Sequence, residues 1–246
     1  MTALYFFRSL LFSICFYINS IQLVIFVFLG RCLFLKKTIK KASKNWAKVN
    51  VLLLQYICGV KYKVIGTENI PQNNFLIVSK HQSTWETYFL FQYFRNYLAC
   101  VVKKELLKIP GIGTALKAVG CIAINRNDGI HALKRMVEQS KIFVKKERRS
   151  LLIFPQGTRV PLNSSTIDYP YRGGFVSIAK ENQLDLLPIA LDSGKCWPKF
   201  SFIKRPGVIN VKIAPVIKYN EYKNLTKNEV VKLVENAIES NQKLLE

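Results

Sequence analysis

Histidine and acidic residues are scarce in this sequence. Only His81 and His131 occur in 246 residues, and 15 Asp and Glu stand against 37 Lys and Arg. The six cysteines form no C-x-x-C pair and no Cys/His cluster, which removes the usual zinc patterns. Two distant histidines without an acidic cluster also make a poor metal-hydrolase site. Widely spaced cysteines suit a reduced, cytosolic domain. No internal repeat or low-complexity linker divides the chain, so its length fits one α/β domain with an appended segment. What is abundant is positive charge, a formal net of +22. That excess calls for an anionic partner: nucleic acid, a phosphate-bearing ligand or an anionic membrane surface.

The beginning of the chain chooses among these. Between Arg8 and Arg31 runs SLLFSICFYINSIQLVIFVFLG, without a charge. It is long enough to cross ~30 Å of hydrocarbon as a helix. Asn19 and Gln22 interrupt it, so a re-entrant or interface-lying helix is the competing reading. A cleaved signal peptide fits less well, because the apolar region is long and has no A-x-A-like site. The following KKTIKKASKNWAK is rich in lysine. Basic flanks mark the cytoplasmic side of a membrane and bind anionic lipid. Residues 36–58 read as a second, amphipathic helix, with Ile39, Trp46, Val49 and Leu53 among lysines, suited to lying on the membrane. Residues 1–58 are therefore expected to anchor the protein, and 59–246 to form the α/β domain.

Within that domain, strands alternate with helices. KYKVIGTENI is a strand entering a turn at Gly66. FLIVS (75–79), GCIAIN (120–125) and SLLIFP (150–155) are short apolar runs of the kind buried in parallel sheets. A helix is expected from about Ser83 to Tyr93. Another, from about Ile130 to Lys146, is capped by NDG, and T-K-N-E at 226–229 is a capping box for the last. This alternation predicts an α/β sandwich with a largely parallel central sheet, preceded by an N-terminal membrane-associated helical segment. Ligands of such sheets gather beyond the carboxyl ends of the strands.

Several polar residues fall at those ends. His81, in KHQSTWETYFL, follows a buried strand, and a neutral imidazole accepts protons near pH 7. It needs a partner on its other nitrogen, and Glu86 is available if His81 precedes the helix and Glu86 lies in its first turn. The competing role for Glu86 is the Ser83-x-x-Glu86 capping box, in which it binds the Ser83 amide. In FPQGTR, Gln156 precedes Gly157, which permits close backbone approach to a ligand. Thr158 then supplies a hydroxyl and Arg159 a planar fork of donors suited to phosphate. The same loop also reads as a turn with an exposed arginine. Arg126, ending the strand in GCIAINR, is either a second anion contact or a surface charge. Arg172, before the paired glycines of YRGGF, sits at a helix start that favours anions or forms a simple turn.

In order, these segments resemble the motifs of the glycerolipid acyltransferases, and more narrowly those of PlsC-type 1-acylglycerol-3-phosphate acyltransferases. HQSTWE is similar to their H-x-x-x-x-D motif and FPQGTR to their FPEGTR block. The strand ending at Arg126 resembles their second block, and LPIAL (187–191) resembles the fourth; together the likeness covers roughly residues 60–215. The resemblance implies that His81 is a general base oriented by Glu86. It also implies that Arg126, Arg159 and the Gly157 backbone hold a lysophospholipid phosphate. The acyl group would come from acyl-CoA or acyl carrier protein as co-substrate, with no other cofactor. Partners would be the lysophospholipid acceptor and an anionic membrane surface at the cytoplasmic face of the inner or plasma membrane, and no nucleic acid. Two positions depart from the pattern, Glu86 for Asp and Gln156 for Glu. Two alternatives remain: the same chemistry on glycerol-3-phosphate or a lyso-aminolipid, and a non-catalytic membrane-anchored anion-binding protein.

Overall fold

The computed structural model describes residues 2–33, 35–94, 98–109, 112–125 and 128–245. Two long helices come first, α1 (Thr2–Cys32) and α2 (Lys36–Cys58). They are followed by β1 (Val60–Ile65), β2 (Phe75–Ser79), α3 (Trp85–Tyr93), β3 (Ala99–Lys103), α4 (Ile112–Val119) and β4 (Cys121–Ile124). The chain continues with α5 (Gly129–Lys141), β5 (Leu151–Ile153), α6 (Gly174–Asn182), β6 (Asp185–Leu191), β7 (Gly207–Ile213), α7 (Tyr219–Tyr222) and α8 (Lys227–Lys243).

The strands form one seven-stranded sheet in the order β1-β7-β6-β2-β5-β3-β4. Every pairing is parallel except β6 with β7. The central strands β2, β5 and β6 are buried on both faces, as parallel sheets require, while the edge strand β1 is mostly exposed. Alternate residues of β2 show why its sequence is apolar throughout. Phe75 and Ile77 face a core shared with α2 and α3. Leu76 and Val78 face a second core under α5, α6 and α8. β1 turns away at Gly66, where φ is +85° and a Cβ would lie 2.1 Å from the Ile213 carbonyl oxygen; only glycine fits so close an approach.

α5 begins as expected from NDG, but by a different device. The Asp128 side chain caps no helix amide. It accepts from Asn125 Nδ2 at 2.7 Å and pairs with Arg135. The capping box of α8 is present in full, with Glu229 reaching back to the Thr226 amide at 2.7 Å.

The helical start of the chain packs differently from its sequence pattern. The apolar face of α2 turns inward, not toward a bilayer: Ala47, Val51, Leu54 and Cys58 join the core over the sheet. α1 runs antiparallel along it. Asn19, the polar break in the apolar run, donates to Asn50 Oδ1 at 3.0 Å, and Trp46 Nε1 donates to Ser20 Oγ at 3.1 Å. Asn19 and Ser20 of α1 thus serve helix–helix contact, while Phe7, Leu11, Ile14, Ile18, Ile25 and Phe28 point outward. Among the described residues, α1 is the one helix long and apolar enough to cross a membrane.

Candidate active site

Parallel strands bring their carboxyl ends to one edge of the sheet, and the polar segments converge there. β2 ends at Ser79, and His81 follows on the loop before α3. Its ring stacks on Phe154, the residue after β5, with centroids 4.1 Å apart. That contact, together with the bond from the Val160 amide to the His81 carbonyl at 2.7 Å, fixes the imidazole plane.

Glu86 lies in the first turn of α3, fully buried at 0 % exposure. Four donors surround it. His81 Nδ1 is 2.9 Å from Oε1, and the amides of Gln82 and Ser83 reach the same oxygen at 2.6 Å each. Ser193, in the turn after β6, donates its hydroxyl to Oε2 at 2.8 Å. A buried carboxylate needs such a shell. Capping and orientation therefore coexist: one oxygen binds the helix-start amides and the histidine together. A carboxylate only accepts, so Nδ1 carries the proton and Nε2 is left as the acceptor. Five residues of separation would put the two side chains on different helix faces; they meet because α3 starts at Trp85, after the histidine.

His81 forms one wall of a cavity of about 600 Å³. Gly157, Thr158, Arg159 and Arg172 line it as well, with Lys103, Lys199 and Phe200. Gly157 has φ +70°, a conformation that lets the chain fold tightly after β5. Arg159 is aimed by Thr84, whose Oγ1 accepts from Nη1 at 2.8 Å. Lys199 donates to Thr158 Oγ1 at 3.1 Å. Apart from Thr87, the rest of the wall is apolar, including Val101, Leu106, Ile124, Met136 and Ile153. The cavity wall thus combines an imidazole, four cationic side chains and a set of apolar ones.

Gln156 takes a different place from its neighbours. It is buried and turned away from the cavity, its Nε2 donating to the Tyr169 carbonyl at 3.2 Å. A glutamate could not donate that bond, so the amide here holds the loop. Arg126 lies outside the described residues. Sequence reading did not pick out Ser193, Lys199, Phe154 or Thr84. Ser193 and Lys199 follow β6 and carried the general signal of polar residues beyond a strand's carboxyl end. Among the described residues, no group of three or more His, Cys, Asp or Glu is placed to hold a metal.

Behind the site a buried lysine pairs with a partly exposed glutamate. Lys80, 1 % exposed, places its Nζ 2.7 Å from both oxygens of Glu239 on α8. Tyr171 donates its hydroxyl to the same carboxylate at 2.7 Å. The residue before His81 and the residue before Arg172 are thus tied to one side chain.

The family pattern described as Acyltransferase matches residues 61–192. A 1-acyl-sn-glycerol-3-phosphate acyltransferase of Pseudomonas aeruginosa is 40 % identical over 174 residues, covering 71 % of this chain and 66 % of that protein. Its namesake in Saccharomyces cerevisiae is 25 % identical, over 74 % of this chain and 59 % of that one. The matched stretch thus spans just under two thirds of those two relatives' length. The crystal structure of the 1-acyl-sn-glycerophosphate (LPA) acyltransferase PlsC from Thermotoga maritima shares the fold, with a TM-score of 0.76, 23 % identity and coverage of 97 % of this chain and 96 % of that one. With the family pattern matched over more than half its length, this chain belongs to the Acyltransferase family.

Proposed function

We propose that the protein transfers a fatty acyl group from a thioester donor, acyl-CoA or acyl carrier protein, to the sn-2 hydroxyl of lysophosphatidic acid, giving phosphatidic acid. The observation that carries this reading is His81, held by the buried Glu86, on the wall of a cavity lined chiefly by cations and apolar side chains. The names of the P. aeruginosa and yeast relatives support the choice of acceptor.

The chemistry follows from the geometry. Arg159, Arg172 and Lys199 attract the acceptor phosphate, and the apolar wall takes the acyl chain. His81 Nε2 removes the proton of the acceptor hydroxyl as its oxygen attacks the thioester carbonyl. Glu86 holds the ring and stabilises the imidazolium. The tetrahedral intermediate collapses, the C–S bond breaks, and the thiolate takes the proton from His81. The acceptor hydroxyl does what a triad serine does elsewhere, so no enzyme nucleophile is needed. Ser193 is engaged with Glu86 and acts as a support.

The protein works at a membrane in this proposal. α1 is about 46 Å long at 1.5 Å per residue and is docked along α2, so it lies along the bilayer surface with its outward apolar stripe immersed. Lysines of α2 meet anionic headgroups at the cytoplasmic face.

The test is a survey of acceptors and donors with the purified protein in detergent, with products identified by mass. Phosphatidic acid formed from lysophosphatidic acid and an acyl thioester is the expected result, lost in His81→Ala. Transfer confined to glycerol-3-phosphate or a lyso-aminolipid would move the acceptor assignment. Full activity of His81→Ala would overturn the mechanism.

A further inference from the structure

We propose that the loop between β6 and β7, residues 197–206, inserts its tip into the bilayer and passes the acceptor lipid from the membrane to the cavity. This rests on the lysophospholipid reading of the site.

The tip is Phe200. The residue is 87 % exposed, although it helps to line the cavity. Its φ is +64°, in the left-handed region where a bulky side chain is strained. The turn around it is closed by bonds that hold this conformation. The Ser201 amide donates to the Pro198 carbonyl at 3.1 Å, Trp197 Nε1 to the Ser201 carbonyl at 3.1 Å, and the Arg205 amide to the Cys196 carbonyl at 2.8 Å. The loop keeps a strained residue and aims an apolar ring outward.

Phe200 is also part of the cavity wall. The Arg159 guanidinium lies 5.8 Å from its ring centroid and the Lys199 ammonium 5.0 Å. The ring is thus in reach of two of the cations that line the cavity. Cation–π contacts in water are weak, and a phosphate displaces them readily.

The other end of the loop rests on α1. Phe202 packs on Phe6 with centroids 5.5 Å apart, and the Lys204 amide donates to Ser9 Oγ at 2.8 Å. The apolar stripe of α1 and the tip of the loop thus belong to one continuous surface. An aromatic tip between basic side chains has the chemistry of a headgroup-level anchor in an anionic bilayer. The acceptor's phosphate moves from the headgroup layer onto Arg159 and Lys199 while its tail slides past the ring.

Two variants in vesicles of phosphatidylcholine and phosphatidylglycerol test this. In Phe200→Trp, the added fluorescence should shift to the blue and be quenched by brominated acyl chains. Phe200→Ala should lower kcat/KM about tenfold on the vesicle-embedded acceptor, the scale of losing one buried ring. On a monomeric short-chain lysophosphatidic acid its loss should be clearly smaller. Absent quenching, or equal losses on both acceptors, would show that the ring only walls the cavity. A wild-type protein inactive on both acceptors would instead defeat the lysophospholipid reading, and the quenching result would still decide the membrane contact.

Discussion

Glu86 Oε1 sits 2.9 Å from His81 Nδ1 while accepting two backbone amides at 2.6 Å. Replacing it by glutamine keeps one acceptor oxygen for the amides but removes the charge that stabilises an imidazolium. Glu86→Gln should therefore fold and lower kcat by about 10²- to 10⁴-fold with little change in KM. Steady-state acyl transfer on the purified variant measures this. A rate within a factor of about three of wild type would end the orienting role.

Arg159 is positioned by Thr84 at 2.8 Å. Arg159→Ala should raise the KM for the acceptor roughly 10- to 100-fold, the worth of one charge-assisted bond. Thr84→Val, which leaves the guanidinium but releases its aim, should give a smaller rise in the same constant. A change confined to the donor KM would place Arg159 on the wrong substrate.

Lys80 is buried against Glu239. Glu239→Ala leaves a buried ammonium without its counter-charge and should destabilise the fold by about 3 kcal/mol. Lys80→Met combined with Glu239→Leu removes both charges and should recover most of that loss. Chemical denaturation in detergent of Lys80→Met, Glu239→Leu and their double variant, alongside Glu239→Ala, tests this, and additive losses in the first two would show that the pair is uncoupled.

Burial pushes the thiols of Cys58 and Cys196 from 9.0 up to about 11. Between those values the folded state keeps protons that the unfolded chain has released. Stability then falls as pH rises, by roughly 1.4 kcal/mol per pH unit for each thiol. The contribution is intact below pH 9.0. Denaturation of wild type and of the Cys58→Ala, Cys196→Ala double variant from pH 8.5 to about 11 should show a flatter slope in the variant.

Much of the fold was legible because its central strands are buried on both faces. FLIVS at 75–79 coincides with β2, and a five-residue apolar run between polar turns admits few other readings. His81, Gly157, Thr158 and Arg159 gather in one cavity for a related reason: parallel strands send all their following loops to one edge. What the sequence hid depends on neighbours distant in the chain. The inward turn of α2 needed α1 as a partner. Ser193 meets Glu86 across 107 positions, and no local pattern marks such a serine. Gln156 stood within a motif, yet its amide serves the Tyr169 carbonyl and not the cavity.

α1 looks in the sequence like a tail that could be cut away. Phe12 lies inside the core, and its ring is one wall of the cage around the Lys204 ammonium, at 5.2 Å, with Trp197 at 4.7 Å and Phe202 at 4.9 Å. Lys204 is only 4 % exposed. A truncation made for crystallisation would open that cage and strip the apolar face of α2. A detergent-free form is better reached by recolouring the outside of the helix, with polar residues at Leu11, Ile14, Ile18 and Ile25, than by shortening the chain.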